Sequence, residues 1–361
     1  MEKLIQDFLD ERVASGAEVG VQVAVYRDGA QIVDAVAGDA GVGRPVAADT
    51  LFYGVSLGKA LTSTIAVILL DRGVFGYDTR VADIWPEYAA HGKGATTIRH
   101  VLTQTAGVPG MPADTTPEAL TDWDRMVSAL ADAEPWWEPG TRSGYHALSY
   151  GYLVGEIARR ATGESLGSLL RSLVSGPLGV ADELFFGVPA AALDRVARLV
   201  PGPVLEGWEL PDDHPIFRMA PPVVQPSAEL YNRDDTLAAD IPAGGTMTAR
   251  ATARLFAALI GEVDGVRLIS EERLRDVSTV AVAQDDAIFG VPMHWTVGFG
   301  PGRPMRSEQD PPRVFGWSGM FGTHGEADPD SGLSFALLKN RFTDGDFSTV
   351  TQLAEIIDRA G

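Results

Sequence analysis

The sequence predicts an α/β (α+β) fold in which one antiparallel sheet is built from both ends of the chain. Helices flank the sheet, and a mainly helical region is inserted beside it. Three observations carry this reading. Strand-like runs cluster before residue 54 and after residue 290. Residues 80–200 alternate helical stretches with turns and hold few strand signals. One mostly apolar helix follows the N-terminal strands, and a helix apolar on most faces belongs in the middle of a domain. The expected division is a sheet domain of residues 1–80 and 245–361 and a mainly helical insertion of residues 81–244. The insertion carries a long proline-rich loop over 201–240. At 361 residues the chain is long enough for a large core.

In chain order, residues 1–12 read as an amphipathic helix, with acids at Glu2, Asp7, Asp10 and Glu11. The runs Gly20–Tyr26 and Ala30–Val36 flank Asp28-Gly29, a strong hairpin signal. Leu51–Tyr53 predicts a third short strand. Ser56–Arg72 has a helical pattern, closed by Gly73 at the place of a C-terminal cap. Turns follow at Gly107-Val108-Pro109-Gly110 and Glu138-Pro139-Gly140-Thr141. Pro201–Pro226 holds seven of the 23 prolines and reads as a long ordered loop, of the kind that forms lids or pocket walls. A helix is predicted over Thr248–Leu259. Strands are predicted over Met293–Phe299, Arg313–Trp317, Phe321–Glu326 and Leu333–Lys339, then a final helix over Thr349–Arg359.

Composition excludes several classes of function. Lys and Arg total 29 against 49 Asp and Glu, a net charge of −20, so phosphate backbones are repelled and no basic patch offsets this. With no cysteine, disulfides, thiolate catalysis and cysteine-ligated zinc are impossible. The six histidines show no metal-binding spacing, and neither a metal nor another cofactor is expected. The N-terminus lacks the apolar run of a signal peptide, and the longest apolar stretch, Ile65–Leu70, is too short to span a bilayer. The expectation is a cytoplasmic protein with no nucleic-acid or membrane partner.

The sharpest chemical feature is Ser56-Leu57-Gly58-Lys59 at the start of the apolar helix. Residues three apart on a helix share a face, with a rise of ~4.5 Å, so the Ser oxygen and Lys nitrogen can meet. Burial would lower the lysine pKa toward neutrality and let it act as a base. Read alone, the pattern is weak and more often marks a Ser N-cap with a snorkelling lysine. Gly54-Val55-Ser56-Leu57-Gly58 also matches the G-x-S-x-G elbow of α/β-hydrolases, with His324 available on paper. However, only an antiparallel hairpin precedes it, where that fold needs several β-α units.

Four further stretches occur in order: Thr97 to Pro109, Glu138-Pro139-Gly140-Thr141 before Tyr145, Ile241 to Gly245, and Gly316-Trp317-Ser318-Gly319. With Ser56 and Lys59 they resemble the serine β-lactamase-like superfamily over nearly the whole chain. The resemblance is to the branch of class C β-lactamases, family VIII carboxylesterases, D-aminopeptidases and transacylases, and implies a β-lactamase/transpeptidase-like fold. It further implies Ser56 as acyl-accepting nucleophile, Lys59 as its base, and Tyr145 as a phenolate relaying protons. The backbone N–H groups of Ser56 and Met320 would form the oxyanion hole. Trp317, Ser318 and Gly319 would line the substrate site on an edge strand. His146, directly after Tyr145, is a further candidate for the substrate wall.

Two departures stand out. Ala147 replaces the Asn of the family's Tyr-x-Asn motif, and Trp317 replaces a cationic residue that helps hold a substrate carboxylate. Trp offers an apolar face and one N–H donor but no charge. The expected reaction is therefore serine esterase or acyltransferase chemistry on a neutral, partly apolar ester or thioester. The expected partners are that small-molecule acyl donor and an amine or alcohol acceptor. A β-lactamase or D-amino-acid peptidase, and a non-catalytic binding protein, are the alternatives.

Overall fold

The computed structural model describes residues 1–41, 43–205, 214–302 and 313–360. Helix α1 (Glu2–Ala14) lays Ile5 and Leu9 on the hairpin of β1 (Gly20–Arg27) and β2 (Ala30–Gly38). Asp28 and Gly29 make the turn with φ of 49° and 78°, the left-handed region that Asp tolerates and Gly enters freely. Strand β3 (Phe52–Tyr53) leads through a 3₁₀ turn, Val55–Gly58, into helix α2 (Lys59–Asp71), where every residue from Lys59 to Leu70 is buried. Gly73, at φ 70°, closes that helix as the sequence predicts.

The middle of the chain carries α3 (Ile98–Leu102), α4 (Trp123–Ala131) and α5 (Ser149–Thr162), with two short strands, β4 (Leu184–Phe185) and β5 (Val200–Pro201). Strand β6 (Thr246–Met247) precedes α6 (Ala249–Ile260), whose first turn is capped by the Thr248 hydroxyl accepting from the Ala251 N–H. Strands β7 (Val282–Asp285), β8 (Pro292–Trp295), β9 (Gly300–Pro301), β10 (Phe315–Ser318), β11 (His324–Asp328), β12 (Leu333–Lys339) and β13 (Arg341–Phe342) follow, then α7 (Ser348–Ala360).

The main sheet runs β2-β1-β12-β11-β10-β9, antiparallel at every pairing. Both ends of the chain therefore build it. One face, with Val21, Val23, Val25, Phe335 and Leu337, packs under α1 and α7. Alternation along the strands sends Ala24, Ala336 and Leu338 to the other face, into the large core shared with α2 and α6.

Several strand boundaries differ from expectation. β3 does not join the main sheet; it pairs with β6, which also pairs with β4. Met293–Phe299 is not one strand: β8 pairs with β7 as a separate hairpin, and the chain turns at Gly298, φ 87°, before β9. Residues 321–323 form a turn at Gly322, φ 89°, so β11 begins only at His324. Of the proline-rich loop over 201–240, residues 206–213 lie outside the described residues. The rest is not a plain loop, because it contains the short helices Ile216–Met219, Ala228–Tyr231 and Asp234–Ala238. Its proline spacing hid them: each fits between prolines or after the last one.

A buried ion pair ties the two ends together. Lys339 on β12 donates to Glu18 at 2.8 Å, both side chains sealed from solvent, and the Thr349 hydroxyl of α7 donates to the same carboxylate. Asp346 stands 3.6 Å from the ammonium. Removing Glu18 takes away the 2.8 Å partner of a buried ammonium and leaves it facing Asp346 at 3.6 Å. Glu18→Ala should therefore lower unfolding free energy by about 3–5 kcal/mol, read from urea denaturation monitored by tryptophan fluorescence. A loss below about 1 kcal/mol, the range of a surface pair, would show that the pair is not buried in solution.

Candidate active site

The site begins with a strained turn. Val55 holds φ of 48°, an unfavourable conformation for a β-branched residue, immediately before Ser56. Neighbouring backbone enforces it. The Gly54 N–H donates to the Gly245 carbonyl at 2.7 Å, and the Gly54 carbonyl accepts from the Thr323 hydroxyl at 2.8 Å. Glycine makes these approaches possible. A Cβ on Gly58 would lie 2.1 Å from the Gly244 carbonyl carbon, and one on Gly319 would lie 2.4 Å from the Gly54 oxygen. The segment Ile241–Gly245 is thus wedged between the Ser56 turn and α5. The Thr62 hydroxyl of α2 holds it by donating to the Pro242 carbonyl.

The turn brings three side chains together. Ser56 Oγ lies 2.7 Å from Tyr145 Oη, Lys59 Nζ lies 2.8 Å from Ser56 Oγ, and Lys59 Nζ lies 2.9 Å from Tyr145 Oη. Lys59 is 0% exposed and has no carboxylate partner among the described contacts. Burial lowers its pKa from 10.5 to about 7. The rings of Tyr145 and Trp317 lie 5.1 and 5.7 Å from Nζ and favour the ammonium by cation–π attraction. Such contacts contribute ~0.5–2 kcal/mol, whereas a fall of this size reflects roughly 5 kcal/mol of desolvation, so burial decides. Tyr145 moves the other way. Burial raises its pKa to about 12; the Ser56 hydrogen bond opposes this and the charge of Asp286 adds to it. Burial thus favours the phenol over the phenolate. Between the two, the lysine is the group able to take a proton.

Tyr145 is held from both sides by groups the sequence pattern did not single out. The Gly144 N–H donates to the Gln104 carbonyl, and the His146 N–H donates to the Gln104 side-chain oxygen at 2.8 Å. From the β7–β8 hairpin, Trp295 stacks on the phenol ring at 6.1 Å, and Phe289, 37% exposed, sits beside it at 5.8 Å. These aromatics are remote in sequence and follow no motif, so only the fold reveals them.

The remaining candidates separate. His146 does not face a substrate. Its Nε2 accepts from the Val108 N–H at 3.0 Å and its Nδ1 lies 2.6 Å from the Gly144 carbonyl, so both nitrogens are engaged by backbone. Burial lowers its pKa to about 4 and keeps it neutral. Trp317 is buried, with its N–H donating to the Gly298 carbonyl at 3.0 Å, so that donor is not offered to a substrate. Its ring instead forms a floor touching Lys59, Tyr145, Tyr150 and Trp295. Gly319 serves close backbone packing against Gly54. Ser318 lies on the opposite face of β10 from Trp317, its hydroxyl 2.8 Å from His324 Nδ1. Met320 follows β10 in the same turn, its carbonyl accepting from the Gly345 N–H. His324 contacts Ser318, not Ser56, and an antiparallel hairpin precedes the turn. The α/β-hydrolase elbow reading is overturned by that topology.

Comparison with known proteins agrees with this architecture. A family model described as Beta-lactamase matches residues 5–357. Esterase/beta-lactamase LipL of Mycobacterium tuberculosis (strain ATCC 25618 / H37Rv) is 34% identical over 343 residues, covering 89% of this chain and 77% of that protein. A solved family VIII carboxylesterase superposes with a TM-score of 0.90 at 31% identity, over 99% of this chain and 96% of the other. A penicillin-binding protein homologue from Caulobacter crescentus gives a TM-score of 0.85 at 32% identity, over 96% and 94%.

The glycine contact has a direct test. Gly58→Ala forces backbone apart at the Ser56 turn, where overpacking costs about 1–3 kcal/mol or more. The variant should melt several degrees lower and lose reactivity of Ser56 toward a fluorophosphonate probe. A variant with unchanged Tm and labelling rate would show that the turn is looser than the structure indicates.

Proposed function

This chain belongs to the β-lactamase family, and we propose that it is a serine esterase that works through acyl-Ser56. One observation carries the reading: Ser56, Lys59 and Tyr145 meet within 2.9 Å around a lysine whose burial brings its pKa to about 7. A neutral Lys59 Nζ takes the Ser56 proton as Oγ attacks the donor carbonyl carbon. Tyr145, bonded to both, passes that proton to the departing alkoxide as the C–O bond breaks. Water, or an amine or alcohol acceptor, then loses a proton to Lys59 and attacks the acyl carbon; the acyl–Oγ bond breaks and Lys59 returns that proton to Ser56 Oγ. The N–H groups of Ser56 and Met320 stabilise the oxyanion in both halves.

The donor is a neutral, partly apolar ester. Trp317 supplies an uncharged ring where the sequence resemblance expects a cation, and Phe289 and Trp295 add apolar surface around Tyr145. A charge-assisted hydrogen bond contributes about 1.5–3 kcal/mol, so its absence costs a carboxylate substrate roughly 10- to 100-fold.

Ser56→Ala should abolish covalent labelling by a fluorophosphonate, followed by intact-protein mass spectrometry; labelling at another residue would refute the assignment. Lys59→Met should fold and lose ~10²–10⁴ in kcat, the scale of general-base catalysis. In the wild type, kcat/KM for p-nitrophenyl butyrate should fall ~tenfold per pH unit below about 7 and level off above it, because only the unprotonated lysine is a base. A profile flat from pH 5 to 8 would remove Lys59 from that role. Nitrocefin should be turned over far more slowly than the butyrate ester; comparable efficiency would move the lactamase reading to first place.

A further inference from the structure

Among the described residues, three aromatic rings surround Tyr145, and one of them stands open. Trp295 and Trp317 are 3% and 5% exposed, whereas Phe289 is 37% exposed with its ring 5.8 Å from the phenol ring. Phe289 sits in the turn of the β7–β8 hairpin, and that turn is tied twice. The first tie is internal. Asp286, itself buried, accepts at Oδ1 from the N–H groups of Ile288 and Phe289 at 2.9 and 3.1 Å. Its own N–H donates to the Val291 carbonyl at 2.8 Å, and its carbonyl accepts from the Gly290 N–H at 2.7 Å. The second tie runs to the Tyr145 segment. The Ala287 N–H donates to the Ser143 carbonyl at 2.8 Å, and the Ser143 N–H donates to the Gln284 side-chain oxygen at 3.1 Å. The hairpin thus takes up both backbone groups of Ser143, two residues before the phenol.

In the reaction described above, Tyr145 Oη meets the alkoxide oxygen as it leaves. The alcohol part of the ester therefore starts within hydrogen-bond distance of the phenol, and a ring beside that phenol meets the alcohol group. We propose that Phe289 is a specificity-determining residue that favours esters of aryl alcohols over those of short alkyl alcohols, with Asp286 the positioning residue that holds it. The contact is ring on ring. Because the turn is fixed before binding, no loop has to be ordered when the aryl group arrives. The choice of substrate rests on the esterase reading; the turn depends on no reaction.

The first test is the ratio of kcat/KM for phenyl butyrate to that for ethyl butyrate. Phe289→Ala should lower it about tenfold, the scale of one lost ring contact. Asp286→Ala leaves two N–H groups without their acceptor and should lower it comparably. Asp286→Asn keeps an acceptor oxygen and should restore it. In a Phe289→Ala background, Asp286→Ala should change the ratio no further. A ratio unmoved by Phe289→Ala, left low by Asp286→Asn, or lowered equally by Asp286→Ala in both backgrounds overturns the proposal. So does a Phe289→Ala variant that alters only the preference among p-nitrophenyl acetate, butyrate and hexanoate, because the ring then lies on the acyl side. The second test needs no substrate. By NMR, the Ile288 and Phe289 amide protons should exchange at least about tenfold more slowly in the wild type than in Asp286→Ala; equal rates overturn the proposal. If Asp286→Ala does not fold, the Phe289→Ala ratio and the wild-type rates against those of an unstructured peptide decide. Wild type that fails to label at Ser56 refutes the esterase reading and with it the choice of ester, while amide exchange still decides the turn.

Discussion

Backbone segments from three regions meet around Ser56 at separations that only glycine permits. Gly58 lies against Gly244 and Gly245, and Gly54 lies against Gly319. This packing leaves no room for solvent beneath the turn, so Lys59 is dry, and a dry lysine without a counter-charge has a pKa near neutrality. The same packing holds Val55 at positive φ and thereby aims Ser56. The reactivity of the site follows from backbone proximity before any side-chain hydrogen bond is counted.

Around that point, neutral groups replace charged ones. Tyr145 is kept as a phenol, His146 is neutral between two backbone groups, and Trp317 contributes a ring where a cation is expected. A charged neighbour beside Lys59 would shift its pKa again, upward for an acid and downward for a base. An aromatic shell perturbs it less and excludes water, which also limits what kind of substrate fits without desolvation cost.

Much of this was legible in the sequence because it rests on local rules. Asp28-Gly29 named its hairpin, the spacing of Ser56 and Lys59 placed them on one helical face, and Gly73 marked a helix end. Less visible was whatever depends on pairing across the chain. Gly298 and Gly322 interrupt apparent strands by adopting positive φ, which alternation of residue types does not reveal. The Trp317 N–H could be counted as a free donor only until the fold brought the Gly298 carbonyl to it. His146 shows the same limit, since its partners Val108 and Gly144 are backbone groups with no side-chain signature. The meeting of Ser318 and His324 required the register of two strands joined by an irregular turn.

The sheet order also has a kinetic meaning. β1 lies between β2 and β12, and the Gly20 N–H finds its side-chain acceptor on Asn340, 320 positions later. Until β12 is made, the β1–β2 hairpin presents an open edge carrying Val21, Val23 and Val25. Such long-range closure is slow, and an unpaired apolar edge is the kind of surface that joins other chains. During synthesis the nucleophile segment emerges early, yet its pocket is complete only when β10 and β11 have docked. Closing the open edge of β1 is therefore a long-range step that waits for β12, and the apolar edge of the N-terminal hairpin is exposed until it is taken.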